Sequence, residues 1–368
     1  MPGTTHIFFH DDVDGIISAA LFLYNNEGVR YRLYPVTSTM RGDKFDTLIA
    51  SIKKYKYDIK VILDYQYHSE ANLWIDHHYN PTFGDCIIHN ENIFYDPKSK
   101  SATRLVFKSG TSRYYNLDLV NEGIDMVDMI DSADYPNVEM AFKDKSPMMI
   151  LRAYLERVYP SEMTYCRIIE SIVNNKMDVK EALYRMKIGS ESIRELEKAA
   201  FQVKDQMVVV GNISIINQKR RKQYPRYSEY LVMPEIKYSI KITPIGNDNV
   251  VIQIGFNQWQ KSPNKINIGI DLLPIVKDYI ITFGGHYNVG SGMVKAENLE
   301  QFIDDVTKIL NEEEDMEKYG VDPTDPVEVR AAELVKEGSV KNIEEGRAET
   351  LKIHSKEKDD GSDGAAKK

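Results

Sequence analysis

A short apolar segment that ends in a histidine and several carboxylates restricts the fold of this chain more than any other feature. Residues 6–15 read HIFFHDDVDG, so His10, Asp12 and Asp14 follow directly on a predicted buried strand. Neighbouring carboxylates repel one another, and burying an unpaired charge is costly. A bound cation would offset both effects. The segment therefore predicts a positive ligand, and a metal ion in particular, at the end of a strand.

Strands and helices alternate in the first part of the sequence. The apolar pattern predicts strands at 4–9, 29–36, 60–63 and 73–75, and helices at 15–24 and 45–55. This alternation is typical of an α/β protein with a parallel sheet, in which ligands bind at the carboxyl ends of the strands. Asp64 ends the third predicted strand, and Asp76, His77 and His78 follow the fourth. We therefore expect polar side chains from three strand ends to converge.

The residue types at these strand ends indicate the chemistry. The alternate residues His10, Asp12 and Asp14 can face one point, Asp64 can bridge two cations, and His77 can complete the second site. Mixed imidazole and carboxylate ligands suit Mn²⁺ best, with Mg²⁺, Fe²⁺ or Co²⁺ as alternatives, and they do not suit Ca²⁺. Two such cations can clamp a phosphoryl group and activate a water molecule. The sequence therefore predicts hydrolysis of a phosphate ester or anhydride.

The remainder of the chain predicts a second, smaller domain. Residues 101–203 are mainly helical in pattern, with segments at 101–107, 121–132, 161–173, 179–185 and 190–203. Residues 206–217 and 249–256 are rich in β-forming residues, and a glycine-rich turn at 284–292 precedes a helix at 296–310. We expect a catalytic α/β domain at 1–188, a linker helix at 189–205 and a smaller α+β domain at 206–311.

Residues 312–368 differ in composition from the rest of the chain. They contain 17 acidic and 10 basic residues and few large apolar ones, so we expect an acidic, largely disordered tail with one helix at 326–336. Such a tail is suited to contact with a protein partner. Because most of the net charge of −9 lies there, the folded part is close to neutral. A nearly neutral surface argues against a protein that grips long nucleic acids.

Other features bear on the cellular location. No apolar run approaches the roughly 20 residues that a membrane-spanning helix needs, and the first residues do not resemble a secretory signal. Cys86 and Cys166 are isolated in apolar surroundings, as in proteins of a reducing compartment. The sequence therefore predicts a cytoplasmic protein without membrane spans.

Four short motifs, in order, resemble those of the DHH phosphoesterase superfamily. They are HDDVDG, the aspartate of VILDYQ, the tetrapeptide IDHH, and MIDSAD. Further along the chain, GGHYNVGSG resembles the GGGH signature of the DHHA1 domain, which follows the DHH domain in many members. The resemblance covers about residues 5–311. Within the superfamily, the chain is similar to nanoRNases (oligoribonucleases) and RecJ-like phosphodiesterases. It implies a parallel-sheet DHH domain, a helical linker region and a smaller α+β DHHA1 domain.

The resemblance also implies a role for each motif residue. Two Mn²⁺ ions would be held, with Mg²⁺ or Co²⁺ as alternatives, the first by His10, Asp12 and Asp64 and the second by Asp14, Asp64, His77 and Asp131. Asp134 is a rival of Asp131 as the last ligand, and Asp11 is expected to face away from the site. His78 would contact the substrate phosphate, and Asp76 would orient the histidines.

Substrate contacts are expected in the second domain. The resemblance implies that Gly284, Gly285 and His286 hold the far end of the substrate, although Phe283 replaces the first glycine of the signature. Asn257 stands where many relatives that cleave oligonucleotides carry an arginine. Arg226, which follows the basic cluster 219–222, is the residue that we expect to compensate. Trp259 is either a packing residue or a stacking platform for a base.

These observations favour a Mn²⁺-dependent phosphodiesterase that hydrolyses short oligonucleotides or small nucleotides. One alternative is a RecJ-like exonuclease that acts on single-stranded DNA or RNA. Others are a pyrophosphatase or polyphosphatase, a cyclic-dinucleotide phosphodiesterase, and a nucleotide-binding regulator without turnover. A homodimer is compatible with each of them.

Overall fold

The computed structural model describes most of the chain, namely residues 3–37, 40, 42–52, 57–78, 80, 82–110, 117–158, 160–219, 223–246, 248–260, 268, 279–286, 289–318 and 347–348. Contacts divide the chain into two compact units, Met1–Ala199 and Ala200–Lys368. Each unit has its own sheet, and each is described by itself.

The first unit is built on a six-stranded sheet. The strand order is β2-β1-β3-β4-β6-β5, and all neighbours are parallel except β5 and β6. This sheet confirms the predicted α/β class. The strands are β1 Thr5–His10, β2 Tyr31–Val36, β3 Ile59–Leu63, β4 Leu73–Asp76, β5 Ile88–His89 and β6 Ile93–Tyr95.

Nine α-helices belong to this part of the chain among the described residues. Helices α5 and α6 are not distinguished by the sequence pattern, which predicts only a mainly helical region there. The helices are α1 Val13–Asn25, α2 Asp43–Ser51, α3 Ala102–Ser109, α4 Leu117–Asp131, α5 Val138–Lys143, α6 Pro147–Val158, α7 Glu162–Asn174, α8 Val179–Arg185 and α9 Glu191–Phe201.

The ends of β1, β3 and β4 are held in place by a buried aromatic core. Phe8 and Trp74 are fully buried, and Phe45 packs edge-on against Phe8 with ring centroids 5.9 Å apart. The Trp74 indole also donates a hydrogen bond of 2.7 Å to the carbonyl oxygen of Tyr65, directly after β3. Because these side chains interdigitate at high density, the strand ends that they support have little freedom to shift.

Gly15 lets α1 begin immediately after β1. A Cβ atom at this position would lie 2.2 Å from the carbonyl oxygen of His10 and 2.6 Å from its backbone nitrogen. We expect Gly15→Ala to lower the free energy of unfolding by about 1–3 kcal/mol, because the extra carbon overpacks against backbone that cannot move aside. Urea unfolding measures the change. Gly189→Ala is the matched control, since nothing lies within 4 Å of its Cβ, and an equal loss in both variants would contradict this explanation.

The second unit contains another six-stranded sheet, in the order β11-β12-β10-β9-β8-β7, in which only β8 and β9 are parallel. Helix α11 covers one face through Phe302, Val306 and Leu310, which pack on Ile240 and Ile252. This mixture fits the predicted smaller α+β domain. The elements are a 3-10 helix Gln202–Gln206, β7 Met207–Val210, β8 Ile213–Asn217, α10 Ser228–Val232, β9 Tyr238–Ile245, β10 Asn249–Phe256, β11 Ile280–His286, β12 Val289–Lys295, a 3-10 helix Ala296–Asn298 and α11 Leu299–Lys318.

Two predictions for the second half of the chain need correction. The segment predicted as a glycine-rich turn at 284–292 is mostly a pair of antiparallel strands, in which Gly284 pairs with Ser291 and Gly285 with Gly290. Helix α11 continues to Lys318, beyond the predicted end near 310, because its glutamates and lysine are good helix formers even where apolar residues are few. The helix predicted at 326–336 lies outside the described residues.

Within the described part of the chain, no helix combines the length and the apolar composition that a membrane span requires.

Candidate metal centre

Five elements of the first unit bring the predicted ligands to one place. His10 is the last residue of β1, and Asp12 caps α1 by accepting a hydrogen bond of 3.1 Å from the backbone nitrogen of Gly15. Asp64 follows β3, His77 follows β4, and Asp131 is the last residue of α4. The strand-end positions are the carboxyl ends of parallel strands, where ligands collect in such sheets.

Two groups of side chains can each hold a cation. Site A consists of His10, Asp12 and Asp64, and site B consists of Asp14, His77 and Asp131; the ligand atoms of each group lie within 4.8 Å of one another. In site A, the Nδ1 atom of His10 is 2.7 Å from Asp12 Oδ2. In site B, the Nε2 atom of His77 is 3.0 Å from Asp131 Oδ2.

Asp64 lies between the two sites. Its Oδ2 atom is 3.7 Å from Nδ1 of His10 in site A, and its Oδ1 atom is 3.7 Å from Nε2 of His77 in site B. The residue is 1% exposed, and neither carboxylate oxygen accepts a hydrogen bond from any described residue. Its backbone is left-handed, with φ of 55°, which is uncommon for a residue other than glycine and tends to occur at functional sites. One oxygen toward each site is the arrangement expected of a bridging carboxylate.

Asp14 is fixed by the amino end of α3. Its Oδ2 atom accepts a hydrogen bond of 2.7 Å from the backbone nitrogen of Ala102, and its Oδ1 atom accepts one of 2.8 Å from Thr103. Helix N-termini favour negative charge because their first N–H groups have no partner within the helix. This contact has no signal in the sequence, since Asp14 and Ala102 are far apart in the chain.

The two consecutive histidines are oriented differently. The carbonyl oxygen of Ser99 lies 3.1 Å from Nδ1 of His77, which directs the Nε2 atom of this ring toward site B. Asp76 Oδ1 lies 2.9 Å from Nδ1 of His78 and accepts hydrogen bonds from the backbone nitrogens of both histidines. His78 is the more exposed of the two, with 31% of its side chain accessible. Asp64, His77 and His78 form a third group of potential ligand atoms.

Asp11 lies beside His10, on the side of the ring away from site A. Its Oδ1 atom is 3.6 Å from Nε2 of His10, on the side of the ring opposite to Asp12. A hydrogen bond with Tyr165 also engages this carboxylate. Asp11 therefore contacts the ring nitrogen of His10 that does not face site A.

Asp131 and its rival Asp134 have separate partners. Asp131 lies in site B, whereas Oδ2 of Asp134 is 2.7 Å from the ammonium group of Lys100 at the surface. Asp134 thus belongs to an exposed ion pair, and Asp131 is the better candidate ligand.

The crowded acids shift the pKa values of the site. Burial, followed by the charge of Asp131, raises the pKa of Asp14 to about 6. Burial, followed by the charges of Asp14 and Asp12, raises the pKa of Asp64 well above its usual value. Burial alone would lower the pKa of His77, but the hydrogen bond and charge of Asp131 outweigh it and raise the pKa to about 10. The metal-free site therefore retains protons at neutral pH.

We expect the metal-free protein to become less stable as the pH rises from 6.5 to about 10. The folded-state pKa of His77 is raised from 6.5 to about 10, so its stabilisation is complete below the lower value and is lost as the pH rises through the higher one. Asp14, raised from 3.8 to about 6, acts in the same direction at lower pH. A bound cation must displace the His77 proton, so the stabilisation by Mn²⁺ should increase with pH.

Thermal unfolding in a chelator and in excess Mn²⁺, across this pH range, measures both trends. A stabilisation by Mn²⁺ that does not change with pH would contradict the assignment of His77 as a ligand.

The predicted substrate contacts belong to the second unit, and their placement varies. Asn257 is 1% exposed, and its amide nitrogen donates hydrogen bonds to the carbonyl oxygens of Pro234 and Ile236. Its Oδ1 atom accepts a bond from the backbone nitrogen of Trp259. The prediction that Asn257 contacts substrate is therefore corrected: the buried amide is used to hold this loop together.

The other predicted contacts remain predictions. Arg226 is exposed in the loop before α10, and residues 220–222 of the basic cluster lie outside the described residues. Gly284, Gly285 and His286 end β11, where the structure describes the backbone pairing but not the side-chain surroundings. The ring of Trp259 packs edge-on against Tyr227, with centroids 5.5 Å apart, which is consistent with a packing role.

Comparison with known proteins gives structural matches only. No family model matches the sequence. No curated protein matches it either.

Several solved structures share the fold. A pGpG-specific phosphodiesterase, PggH from Vibrio cholerae, aligns with a TM-score of 0.57 at 19% identity, over 84% of this chain and 99% of that chain. The DHH domain of a protein assigned to a family of ribosomal proteins aligns with a TM-score of 0.50 at 14% identity, over 84% and 86% of the two chains. The exonuclease RecJ bound to manganese aligns with a TM-score of 0.46 at 9% identity, over 82% of this chain and 89% of that chain. The first two likenesses place the chain in a known fold.

Proposed function

We propose, from the premise that this chain has the fold of the DHH-domain proteins, that it is a metal-dependent phosphodiesterase acting on short oligonucleotides or small nucleotides. The single observation that carries the proposal is the position of Asp64 between sites A and B. One of its oxygens is directed to each site, and neither accepts a hydrogen bond from a described residue. Such a carboxylate suits a pair of cations.

The donor atoms fit the proposed cations. Sites A and B offer imidazole nitrogen and carboxylate oxygen and no sulfur. This combination suits Mn²⁺, with Mg²⁺ or Co²⁺ as alternatives, because soft thiolate ligands are absent from these groups. When bound, two such cations neutralise phosphoryl charge and lower the pKa of a water molecule. His10, Asp12 and Asp64 would hold one cation, and Asp14, Asp64, His77 and Asp131 the other.

The remaining polar residues of the site act on the substrate and on each other. His78 is partly exposed and is held through Nδ1 by Asp76. We assign it to the phosphate, where it would stabilise the charge that develops on the non-bridging oxygens. In the reaction, a water molecule gives up a proton as its oxygen forms a bond to phosphorus, the bond from phosphorus to the leaving oxygen breaks, and a proton is returned to that leaving oxygen. Asp76 would keep the imidazole in the required orientation throughout.

The substrate class is proposed from charge and from the likeness in fold. The chain outside residues 312–368 is nearly neutral, which favours short substrates over long polyanions. A structure with the same fold is that of a pGpG-specific phosphodiesterase, so dinucleotides belong among the first substrates to be tested.

A panel of substrates tests the proposal. The purified protein, treated with chelator and reloaded with Mn²⁺ or Mg²⁺, is incubated with di- to decanucleotides including pGpG, cyclic dinucleotides, pAp, pyrophosphate and polyphosphate. We expect release of mononucleotides from the shortest substrates, with activity that falls as the chain lengthens. The same protein kept in chelator is the control.

Other outcomes would favour the alternatives. Activity that persists on long single strands would favour a RecJ-like exonuclease, and activity restricted to pyrophosphate or cyclic dinucleotides would favour those enzyme classes. Nucleotide binding without hydrolysis of any member of the panel would overturn the proposal in favour of a regulator.

A further inference from the structure

The segment Ser99–Arg104, which leads into α3, holds two ligands of site B. The carbonyl oxygen of Ser99 contacts Nδ1 of His77 at 3.1 Å. The backbone nitrogens of Ala102 and Thr103 donate hydrogen bonds to Asp14. Any shift of this segment would therefore move the imidazole and the carboxylate together.

A buried carboxylate on α4 holds this segment in turn. Asp128 is 6% exposed; its Oδ1 atom accepts a hydrogen bond of 2.5 Å from the hydroxyl of Ser101, and its Oδ2 atom accepts one of 2.5 Å from Nε of Arg104. The Ser101 hydroxyl also caps α3 by accepting a bond from the backbone nitrogen of Arg104. A buried carboxylate with a guanidinium and a hydroxyl as partners is satisfied, and it rigidifies its surroundings.

Asp128 also stands one helical turn before the third ligand of site B. Asp131 is the last residue of α4, where the helix dipole disfavours negative charge and helix ends fray. Residues three apart lie on the same side of a helix, so the contacts of Asp128 tie down the turn that carries Asp131. The three residues of site B that the first cation does not share, Asp14, His77 and Asp131, are thus connected to one group of contacts.

Site A has no such connection through Asp128. Among the described residues, the side chain of Asp128 bonds to Ser101 and Arg104, and neither His10 nor Asp12 is among its partners. Site A rests instead on the ends of β1 and β3 and on Asp12, the residue that caps α1.

We propose that Asp128, Ser101 and Arg104 are positioning residues that set the affinity of site B for its cation without affecting site A. This inference rests on the proposed two-cation function and deepens it. It predicts that the two sites can be altered independently, because the loss of the Asp128 contacts changes the occupancy of site B only.

Titration of the full chain with Mn²⁺ tests the inference. The concentration of free Mn²⁺ is measured at each step. We expect the native protein to bind two ions, and Asp128→Asn to weaken one of them about 10- to 100-fold while the other keeps its affinity. Asn preserves the volume, but it presents an amide to the guanidinium of Arg104 and removes the buried charge. Asp125→Asn is the matched control, because Asp125 forms an ion pair with the same guanidinium but lies exposed at the surface.

Double variants identify the site that is weakened. In an Asp131→Asn background, which already lacks a ligand of site B, Asp128→Asn should not weaken Mn²⁺ binding further. In an Asp12→Asn background, which lacks a ligand of site A, Asp128→Asn should weaken site B, the only strong site that is left. If Asp128→Asn folds poorly, Ser101→Ala replaces it, since this change removes the hydroxyl contact to Asp128 and the cap of α3 and leaves the ion pair between Asp128 and Arg104. Circular dichroism confirms folding in each case.

The outcomes separate the two proposals. Equal weakening of both ions, or unchanged affinity for both, would overturn the positioning role while the native protein still bound two ions. A native protein that binds fewer than two Mn²⁺ ions would overturn the proposed function itself.

Discussion

Asp64→Asn is expected to reduce phosphodiester hydrolysis on the order of 10³-fold or more. Bridging cations contribute several kcal/mol to transition-state stabilisation, and each 1.36 kcal/mol corresponds to about tenfold in rate. Asn is nearly isosteric with Asp and tolerates the left-handed backbone found at this position, so the change removes charge without new strain. The measurement is kcat/KM on the best substrate of the panel at saturating Mn²⁺.

The same variant should gain stability when no metal is present. Burial and the charges of Asp14 and Asp12 raise the pKa of Asp64 well above the usual value, so the ionised form opposes folding at neutral pH. Removing the carboxylate removes this opposition. A loss of activity together with a gain in metal-free stability is the signature of a functional carboxylate rather than a structural one.

Asp134→Asn is the matched control for Asp64→Asn. Its carboxylate pairs with Lys100 at the surface, and exposed pairs of this kind contribute little to stability. We expect nearly native activity. If Asp64→Asn retained native activity, or if the control lost as much as it did, the bridging role of Asp64 would be refuted.

His78→Gln is expected to lower kcat about 10²- to 10³-fold, the usual effect of removing one donor to a developing oxyanion. The affinity for Mn²⁺ should be unchanged, because Nδ1 of His78 is engaged by Asp76 and the ligands of sites A and B remain. This split distinguishes His78 from its neighbour His77, whose replacement should cost both the cation and the activity. Steady-state kinetics and Mn²⁺ titration measure the two effects.

The matched control is His89→Gln, since His89 is exposed on β5 and stacks on Phe94. If His78→Gln lost Mn²⁺ along with activity, His78 would be a ligand, as its place beside Asp64 and His77 allows. In that case another group would have to contact the phosphate.

The sequence predicts the first sheet well because its signals are local. Strands β1, β3 and β4 each contain an apolar run that a histidine or an aspartate follows, namely His10, Asp64 and Asp76, and Gly15 marks the close approach of α1 to β1. Strand β9, which contains Lys241, is not predicted from the sequence. This ammonium group is buried, and Oε2 of Glu229 lies 2.8 Å away on α10, a pairing that only the folded chain provides.

In the candidate site, too, features with local signals are predicted from the sequence and features that join distant segments are not. The spacing of His10, Asp12 and Asp14 and the strand-end positions of Asp64 and His77 predict a convergence of ligands, and the structure brings these side chains together. Neither the anchoring of Asp14 by α3 nor the contacts of Asp128 has a signal in the sequence, because both join segments far apart in the chain. The hydrogen bonds that bury Asn257 also join distant segments, so the sequence places this residue among the substrate contacts and the structure does not.

The order of the ligands along the chain has a consequence for biosynthesis. Every side chain of site A lies within the first 64 residues, whereas site B depends on Asp131 and on the segment before α3. Chains are synthesised from the amino end, and the earlier parts of a domain leave the ribosome first. A nascent chain thus presents the complete site A set before that of site B. Under the proposed function, a product that terminates before residue 131 would lack a ligand of the second cation, so binding at site B would require a chain that extends past the end of α4.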